Sequence, residues 1–104
     1  MTTKPDSGRE PRITHQTHLV LTAFLVDPTQ FLSGYDVIGS TGLSTGTLYP
    51  ILMRLEQAKW LESHREEIDP KKEGRPRRRL YRITQTGLER ARNLRAEVLG
   101  GVPA

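Results

Sequence analysis

The sequence predicts a small, mainly helical α+β domain in which three helices are followed by a two-stranded hairpin and a last helix. Apolar residues recur at helical spacing in several segments, and one alternating stretch follows a segment rich in proline, glycine and arginine. The chain has 104 residues and no cysteine, which is typical of a single domain without a disulfide framework.

The first helix is predicted at residues 14–26. Its C-terminal half is apolar on nearly every side, which is typical of a helix at the centre of a core. Asp27 ends this helix because it precedes Pro28, and a residue before proline avoids helical backbone angles. The polar residues 1–12 are expected to form a disordered tail.

A short second helix is predicted at residues 33–39, with a serine as its N-cap. Tyr35 and either Val37 or Ile38 are expected to face inward. The small residues 40–42 form the turn before the next helix. Two helices joined by a small-residue turn that contains glycine are typical of a helix-turn-helix.

The third helix follows Ser44, whose hydroxyl makes it a good N-cap, and is predicted to end near Ala58. Its apolar stripe repeats at i, i+3, i+4 and i+7 and consists of Leu48, Ile51, Leu52 and Leu55. The opposite side carries Gly46, Tyr49, Pro50, Met53 and Arg54, with Thr47 on the flank. Pro50 lacks a backbone donor, so a bend is expected there. Such a helix suits the major groove of DNA, although an ordinary surface helix has the same pattern.

Trp60 and Leu61 follow the third helix and are expected to pack beneath the domain. Residues 62–67 are predicted to form a strand, residues 68–77 contain the turn signals of proline and glycine, and residues 79–83 alternate as a second strand. A strand, a long basic loop and a strand form a hairpin of the kind that is called the wing of a winged helix-turn-helix.

The positive charge of the chain is concentrated in this hairpin. Residues 68–82 carry a net charge of +5, whereas the rest of the chain carries −1. A local cationic patch beside a helix-turn-helix indicates a nucleic-acid partner.

The last helix is predicted to run from its cap, Thr84, to about Leu99, where glycines stop it. Its apolar stripe consists of Leu88, Ala91, Leu94 and Val98. If the first helix already covers the core, this stripe is exposed, and a two-fold dimer contact through Leu88, Leu94 and Val98 is expected. A lone amphipathic cap is the alternative. The resulting division is residues 1–12, the winged helix-turn-helix domain at 13–84, the C-terminal helix at 85–99 and a frayed end at 100–104.

The sequence offers no residues in a pattern typical of an enzyme, a cofactor site or a metal site. Cysteine is absent, and nothing orients a nucleophile. His15 and His18 share a helix face but have no third ligand in view. The longest apolar run, residues 19–26, is too short to span a bilayer.

Several ordered motifs carry a resemblance to a known family. They are Gly34-Tyr35, Gly46-Thr47-Leu48-Tyr49-Pro50-Ile51-Leu52, Arg54-Leu55-Glu56, Trp60-Leu61, Gly74-Arg75-Pro76-Arg77, and Leu80-Tyr81-Arg82-Ile83-Thr84 with Gly87. In this order they resemble the PadR family of bacterial transcriptional regulators, over about residues 17–95.

The resemblance implies a winged helix-turn-helix homodimer that binds a palindromic operator in double-stranded DNA, usually as a repressor, in the bacterial cytoplasm at the nucleoid. It implies that the third helix enters the major groove and that the wing lies on the backbone or the minor groove. Carried over by position, the helix contacts are Ser44, Thr45, Thr47, Tyr49 and Arg54. The wing contacts are Lys71, Lys72, Arg75, Arg77 and Arg78.

The sequence departs from the family pattern in three ways that matter, one of which is that the segment between Tyr35 and Ser44 is shorter than in some relatives. Many relatives have glycine where Lys59 stands, so Lys59 must adopt a positive φ or end the helix differently. Many members also carry a long C-terminal helical region for dimerisation and ligand binding, whereas this chain has one short helix there. A small-molecule effector is therefore possible, but nothing in this sequence supports one.

Two other functions remain open at this point. One is a DNA-binding adaptor in plasmid or phage replication or partition, which uses the same fold without a promoter. The other is a protein-interaction module whose winged helix binds an acidic partner.

Overall fold

The computed structural model describes residues 11–100, with side chains described as far as Leu94. The elements in chain order are α1 (His15–Leu25), β1 (Leu32–Ser33), α2 (Gly34–Thr41), α3 (Thr45–Gln57), β2 (Leu61–Arg65), α4 (Pro70–Glu73), β3 (Arg79–Ile83) and α5 (Gln85–Gly100). None of the helices in this part of the chain has the length and apolarity that a membrane span requires. The predicted tail at residues 1–12 and the frayed end at 100–104 lie almost entirely outside the described residues, as does the side chain of Val98.

The first helix begins after Thr14, and the second begins at its predicted cap, Ser33. Thr14 accepts the backbone N–H of Thr17 at 3.2 Å on its hydroxyl. Ser33 forms a reciprocal capping box with Asp36, in which each side chain accepts the other residue's backbone N–H. These contacts satisfy amide groups that the first turn of a helix leaves without partners.

Helix α2 is longer than predicted, because the turn begins at Gly42 rather than at residue 40. The hydroxyl of Thr41 donates to the carbonyl of Val37 at 2.8 Å, within the helix. Gly42 then ends the helix with a φ of 76°, which glycine adopts at little cost. The inward prediction is confirmed for Val37 and wrong for Tyr35, whose side chain is 70% exposed.

Helix α3 runs through Pro50 without interruption and ends at a left-handed Lys59, whose φ is 69°. The N–H of Lys59 donates to the carbonyl of Glu56, and that of Trp60 donates to the carbonyl of Leu55, both at 2.9 Å. This is the Schellman arrangement, with lysine where glycine is usual. The Trp60 side chain is buried, as predicted.

The sheet has three antiparallel strands in the order β1-β3-β2. The predicted hairpin is confirmed, with Ser63 opposite Tyr81, although β2 spans Leu61–Arg65 rather than residues 62–67. Strand β1 was not predicted, because two residues are too few to show an alternating pattern. The loop between β2 and β3 contains the helical turn α4, which Asp69 caps and Gly74 ends with a φ of 73°.

The core joins every helix except α4 to the inner face of the sheet. Helix α3 lies at its centre, because its whole apolar stripe is buried. The buried apolar side chains are Val20, Leu21, Phe24, Val37, Leu48, Ile51, Leu52, Leu55, Trp60, Leu61, Tyr81, Ile83 and Ala91. A core of this kind holds one face of α3 inward and leaves the other face to solvent.

Helix α5 docks under the end of α3. Thr84 caps it by accepting the N–H of Gly87 at 3.0 Å, and the Thr84 hydroxyl also lies 2.6 Å from the carbonyl oxygen of Lys59. Ala91 is buried, and Leu94 packs against the core. The expectation of a fully exposed stripe is therefore wrong at Ala91 and Leu94, which contact the protein's own core.

Gly87 provides a test of this docking. A Cβ at this position would overlap the backbone carbonyl of Trp60 and lie 2.9 Å from Cγ1 of Ile83. We expect Gly87→Ala to lower the free energy of unfolding by about 1–3 kcal/mol, as overpacking does. The measurement is urea unfolding followed by circular dichroism.

The matched control is Gly39→Ala, also in a helix, where an added Cβ would meet nothing within 4 Å. Alanine has the higher helix propensity, so this variant should be up to about 1 kcal/mol more stable than the parent. Equal stability of the two variants would contradict the close packing of α5 on Trp60.

Candidate nucleic-acid interface

Helix α3 presents its polar face to solvent because its apolar face is buried. Its N-cap, Ser44, accepts the N–H of Thr47 at 3.3 Å, and the two hydroxyls lie 3.2 Å apart. The side chains of this helix and its cap that were predicted to contact DNA are Ser44, Thr45, Tyr49 and Arg54, all exposed, and Thr47, which is partly exposed. Each of the five is therefore accessible to a partner molecule.

Tyr49 connects α3 to α2. Its hydroxyl lies so close to Gly34 that a Cβ on Gly34 would overlap it, so this glycine is required for the contact. The Tyr49 side chain remains 44% exposed. Tyr35, which follows Gly34 in α2, is exposed as well.

Tyr35 in turn meets the wing. The guanidinium carbon of Arg78 lies 5.1 Å from the centroid of the Tyr35 ring, within the range of a cation–π contact. Tyr49 thus meets α2 at Gly34, and the next residue of α2, Tyr35, meets Arg78 of the wing.

A second set of contacts joins α3 to the strands of the wing. The hydroxyl of Ser63 donates to Oε2 of Glu56 at 2.6 Å, and Nη1 of Arg79 donates to the same hydroxyl at 3.1 Å. Tyr81 lies beside this group, and its pKa is raised by burial and, to a smaller extent, by the Glu56 carboxylate. These polar contacts fix how the hairpin leans against α3.

The tip of the wing is held by a two-pronged ion pair. Nη1 and Nη2 of Arg75 donate to the two carboxylate oxygens of Glu66 at 2.8 and 3.1 Å. The backbone N–H of Arg78 adds a third bond to Glu66 at 3.1 Å. The Arg75 guanidinium and the Arg78 N–H together lower the pKa of Glu66 to about 2.

The wing cations therefore have different surroundings. The charge of Arg75 is directed to Glu66, and Nε of Arg77 donates to the carbonyl of Ile68 at 3.0 Å. Lys71 and Lys72 lie exposed on α4, and their ammonium groups form no ion pair with any residue of the described chain. The most available positive charge lies on these two lysines and on the exposed Arg77 and Arg78.

The outer face of the sheet forms a separate cluster. The ring of Phe31 lies between the imidazole of His64, with ring centroids 4.6 Å apart, and the guanidinium of Arg82, which is 4.4 Å from the Phe31 centroid. Arg82 also pairs with Glu62 at 2.8 Å. These residues lie on the sheet face opposite Ser63 and Tyr81, away from α3, which makes Arg82 a suitable control position.

Two exposed side chains beside the predicted contacts were not predicted from the sequence to contact DNA. Tyr35 was predicted to face inward on the second helix, but it is exposed. Met53 was predicted only as part of the outer side of α3, and its side chain is 56% exposed. For Met53 the helical spacing is the signal, since it falls opposite the buried stripe.

A three-helix core with a helix-turn-helix and a basic hairpin defines a winged helix-turn-helix protein. The model of the family described as "Transcriptional regulator PadR-like family" matches residues 34–93, more than half of the chain. The chain belongs to this family, whose members are transcriptional regulators rather than enzymes. The resemblance seen in the sequence motifs is thereby confirmed.

Solved structures agree with this assignment. The Streptococcus mutans protein smu.1704 is 29% identical, with a TM-score of 0.62 over 79% of this chain and 74% of that one. A PadR family regulator from Eggerthella lenta is 26% identical, with a TM-score of 0.65 over 81% of this chain and 77% of that one. Among curated proteins, none matches this sequence.

A further neighbour shares the fold at lower identity. BpsR from Bordetella bronchiseptica, whose DNA binding is regulated by 6-hydroxynicotinic acid, is 20% identical, with a TM-score of 0.65. The match covers 80% of this chain but only 54% of BpsR. The chain therefore spans about half the length of that regulator.

The Glu66 carboxylate yields a prediction about pH. Because its pKa is lowered from 4.5 to about 2, the ion pair stabilises the wing above pH 4.5, and this stabilisation is lost as the pH falls through about 2. We expect a carboxyl carbon-13 NMR titration of Glu66 to show a midpoint near 2. Arg75→Ala should move the midpoint up towards the ordinary value.

Arg82→Ala is the matched control, since it removes an arginine of β3 that pairs with Glu62 instead of Glu66. It should leave the midpoint of Glu66 unchanged. A Glu66 midpoint near 4.5 in the parent protein would rule out the two-pronged pair in solution.

Proposed function

We propose that this chain is a sequence-specific, double-stranded DNA-binding regulator that acts as a homodimeric repressor. The observation that carries the proposal is a pair of contacts that join α3 to the wing through α2, namely Tyr49 beside Gly34 and Arg78 over the ring of Tyr35. Because these contacts join α3 to the wing, a duplex that meets the polar face of α3 also meets the basic hairpin. The family assignment supports the regulatory role.

The proposed contacts of α3 divide into two kinds. The hydroxyls of Thr45, Thr47 and Tyr49 donate to phosphate oxygens, which fixes register without reading sequence. Arg54 is exposed near the end of the helix and reaches either a guanine edge or a phosphate. Ser44 belongs to the same set by position, but its hydroxyl donates to the Thr47 hydroxyl at 3.2 Å and its oxygen accepts the N–H of Thr47.

The proposed wing contacts are electrostatic. Lys71, Lys72, Arg77 and Arg78 lie exposed and neutralise phosphates. Arg75 belongs to the same set by sequence, but its guanidinium is bound to Glu66. Its proposed part is therefore to hold the tip that presents the other cations.

The proposed dimer gives the binding site its symmetry. Two copies related by a two-fold axis place their α3 helices in major grooves one helical turn apart, about 34 Å, so the operator is palindromic. The interface proposed is α5, through Leu88, Leu94 and Val98, although Leu94 also packs on its own core. Repression then follows when an operator overlaps a promoter.

Selection of bound duplexes from random DNA tests the function as a whole. We expect enrichment of a palindrome, and footprints on genomic DNA that overlap promoters. Footprints on origin-type repeats would instead favour an adaptor in plasmid or phage replication or partition. Salt-insensitive binding with no enriched sequence would favour a protein-interaction module and overturn the proposal.

The wing lysines provide a test of the electrostatic contacts. We expect the double variant Lys71→Ala, Lys72→Ala to bind the enriched and a scrambled duplex more weakly by the same factor. The slope of log affinity against log salt should become shallower by about 0.9 for each phosphate that is no longer neutralised. The measurement is a fluorescence anisotropy titration at several salt concentrations.

Arg82→Ala is again the control, because the Arg82 guanidinium pairs with Glu62 and contacts the Phe31 ring on the opposite face of the sheet. It should keep the parent slope. A double lysine variant with the parent slope would show that the wing tip does not contact phosphates.

The dimer contact is tested through Leu88. We expect the parent protein to sediment at micromolar concentration with twice the 11.8 kDa chain mass. Leu88→Glu should shift it to the monomer, because a charge in an apolar contact costs several kcal/mol. Arg92→Ala, an exposed change on the same helix, should remain dimeric. A monomeric parent would refute this interface.

A further inference from the structure

The outward centre of α3 is apolar. At about 100° per residue, Gly46, Pro50 and Met53 lie directly opposite the buried leucine and isoleucine stripe. Tyr49 stands on the flank that packs against α2, and Thr47 and Arg54 stand on the other flank. The polar side chains of the helix are therefore arranged to either side of an apolar line.

The residues on this line differ in how far their side chains extend from the helix. Gly46 has no side chain, and a Cβ there would meet no other atom within 4 Å, so the surface beside it is open. Pro50 carries no hydrogen-bond donor. Met53 is the first long side chain along the line and is 56% exposed. Gln57, in the same direction, is the last residue of the helix.

A flat and apolar centre limits what the helix can read. The major groove presents hydrogen-bonding groups on every base pair, but thymine alone adds a methyl group. Gly46 and Pro50 allow the backbone of α3 to approach the base edges closely. Neither these residues nor a thioether side chain can donate to or strongly accept from a base edge.

We propose that Met53 is a specificity-determining residue that contacts the 5-methyl group of thymine in the major groove. This inference rests on the proposed function, because it assigns the base that α3 recognises. Phosphate contacts from the two polar flanks hold the helix in register, and the flexible thioether fills the space beside the methyl group. The operator half-site accordingly carries thymine opposite the middle of α3.

The experiment removes the methyl group and nothing else. A duplex enriched by the parent protein from random DNA is prepared with deoxyuridine in place of each thymine in turn. At one or two positions in each half-site, we expect binding to weaken about fourfold per half-site, which is the effect of one buried methyl-sized group. Met53→Ala should bind the parent and substituted duplexes equally at those positions.

The comparison between variants separates a direct methyl contact from DNA stiffness. A change in DNA shape caused by deoxyuridine affects the parent and Met53→Ala alike, whereas removal of a methyl group that Met53 touches affects the parent alone. Val26→Ala is the matched control, since Val26 is an apolar side chain 83% exposed after α1. It should keep the parent sensitivity to deoxyuridine.

The outcomes are distinct. Disappearance of the methyl effect in Met53→Ala, with circular dichroism and melting temperature like the parent, supports the inference. An enriched duplex that tolerates deoxyuridine at every position, or a methyl effect that survives in Met53→Ala, overturns this inference and leaves the proposed function standing. Failure to enrich any duplex overturns both.

Discussion

The structure depends on the burial of one face of α3. Leu48, Leu52 and Leu55 are completely buried, and Ile51 nearly so. Full burial of each such side chain contributes about 1.5–3 kcal/mol relative to exposure. Since these four residues span two turns, they fix the rotation of the helix about its axis as well as its position. This rotation determines the direction in which every exposed side chain of α3 points.

The orientation of the wing also depends on α3, through hydrogen bonds between side chains. Glu56 receives the hydroxyl of Ser63, and Arg79 donates to that hydroxyl, so polar groups of α3 and both wing strands share one small network. Further along the hairpin, the Glu66 carboxylate accepts hydrogen bonds from the Arg75 guanidinium and the Arg78 N–H, and these bonds hold the tip in place. The hairpin is thus braced at its base and again at its end, although most of its residues lie outside the core. In this way a basic segment rich in turn residues acquires a defined direction.

Local patterns in the sequence predicted most of this architecture. Ser44 and Thr84 cap helices as expected, and the alternation of residues 79–83 places Tyr81 and Ile83 in the core. These signals succeed because each is completed within a few residues. Strand β1 was missed because it exists only through its pairing with β3, a contact between residues almost fifty positions apart.

The candidate interface was predictable in composition but not in geometry. Counting charges placed Arg75 with the other wing cations, but only the fold brings Glu66 within 2.8 Å of it. Tyr35 was predicted to lie in the core, whereas the core is filled by Val37 and the ring lies under Arg78. In both cases the partner lies on another element, so no local pattern could reveal it.

The contact between Gly34 and Tyr49 restricts how this protein can change its target. The phenol ring of Tyr49 occupies the space that a side chain at position 34 of α2 would need, so α2 and α3 are in close contact at that point. A rotation of α3 about its axis would displace the Tyr49 ring and expose the buried leucines. A new DNA sequence preference therefore cannot arise from such a rotation. We expect the DNA specificity of close homologues to diverge by substitution of the exposed side chains of α3, with the orientation of the helix unchanged.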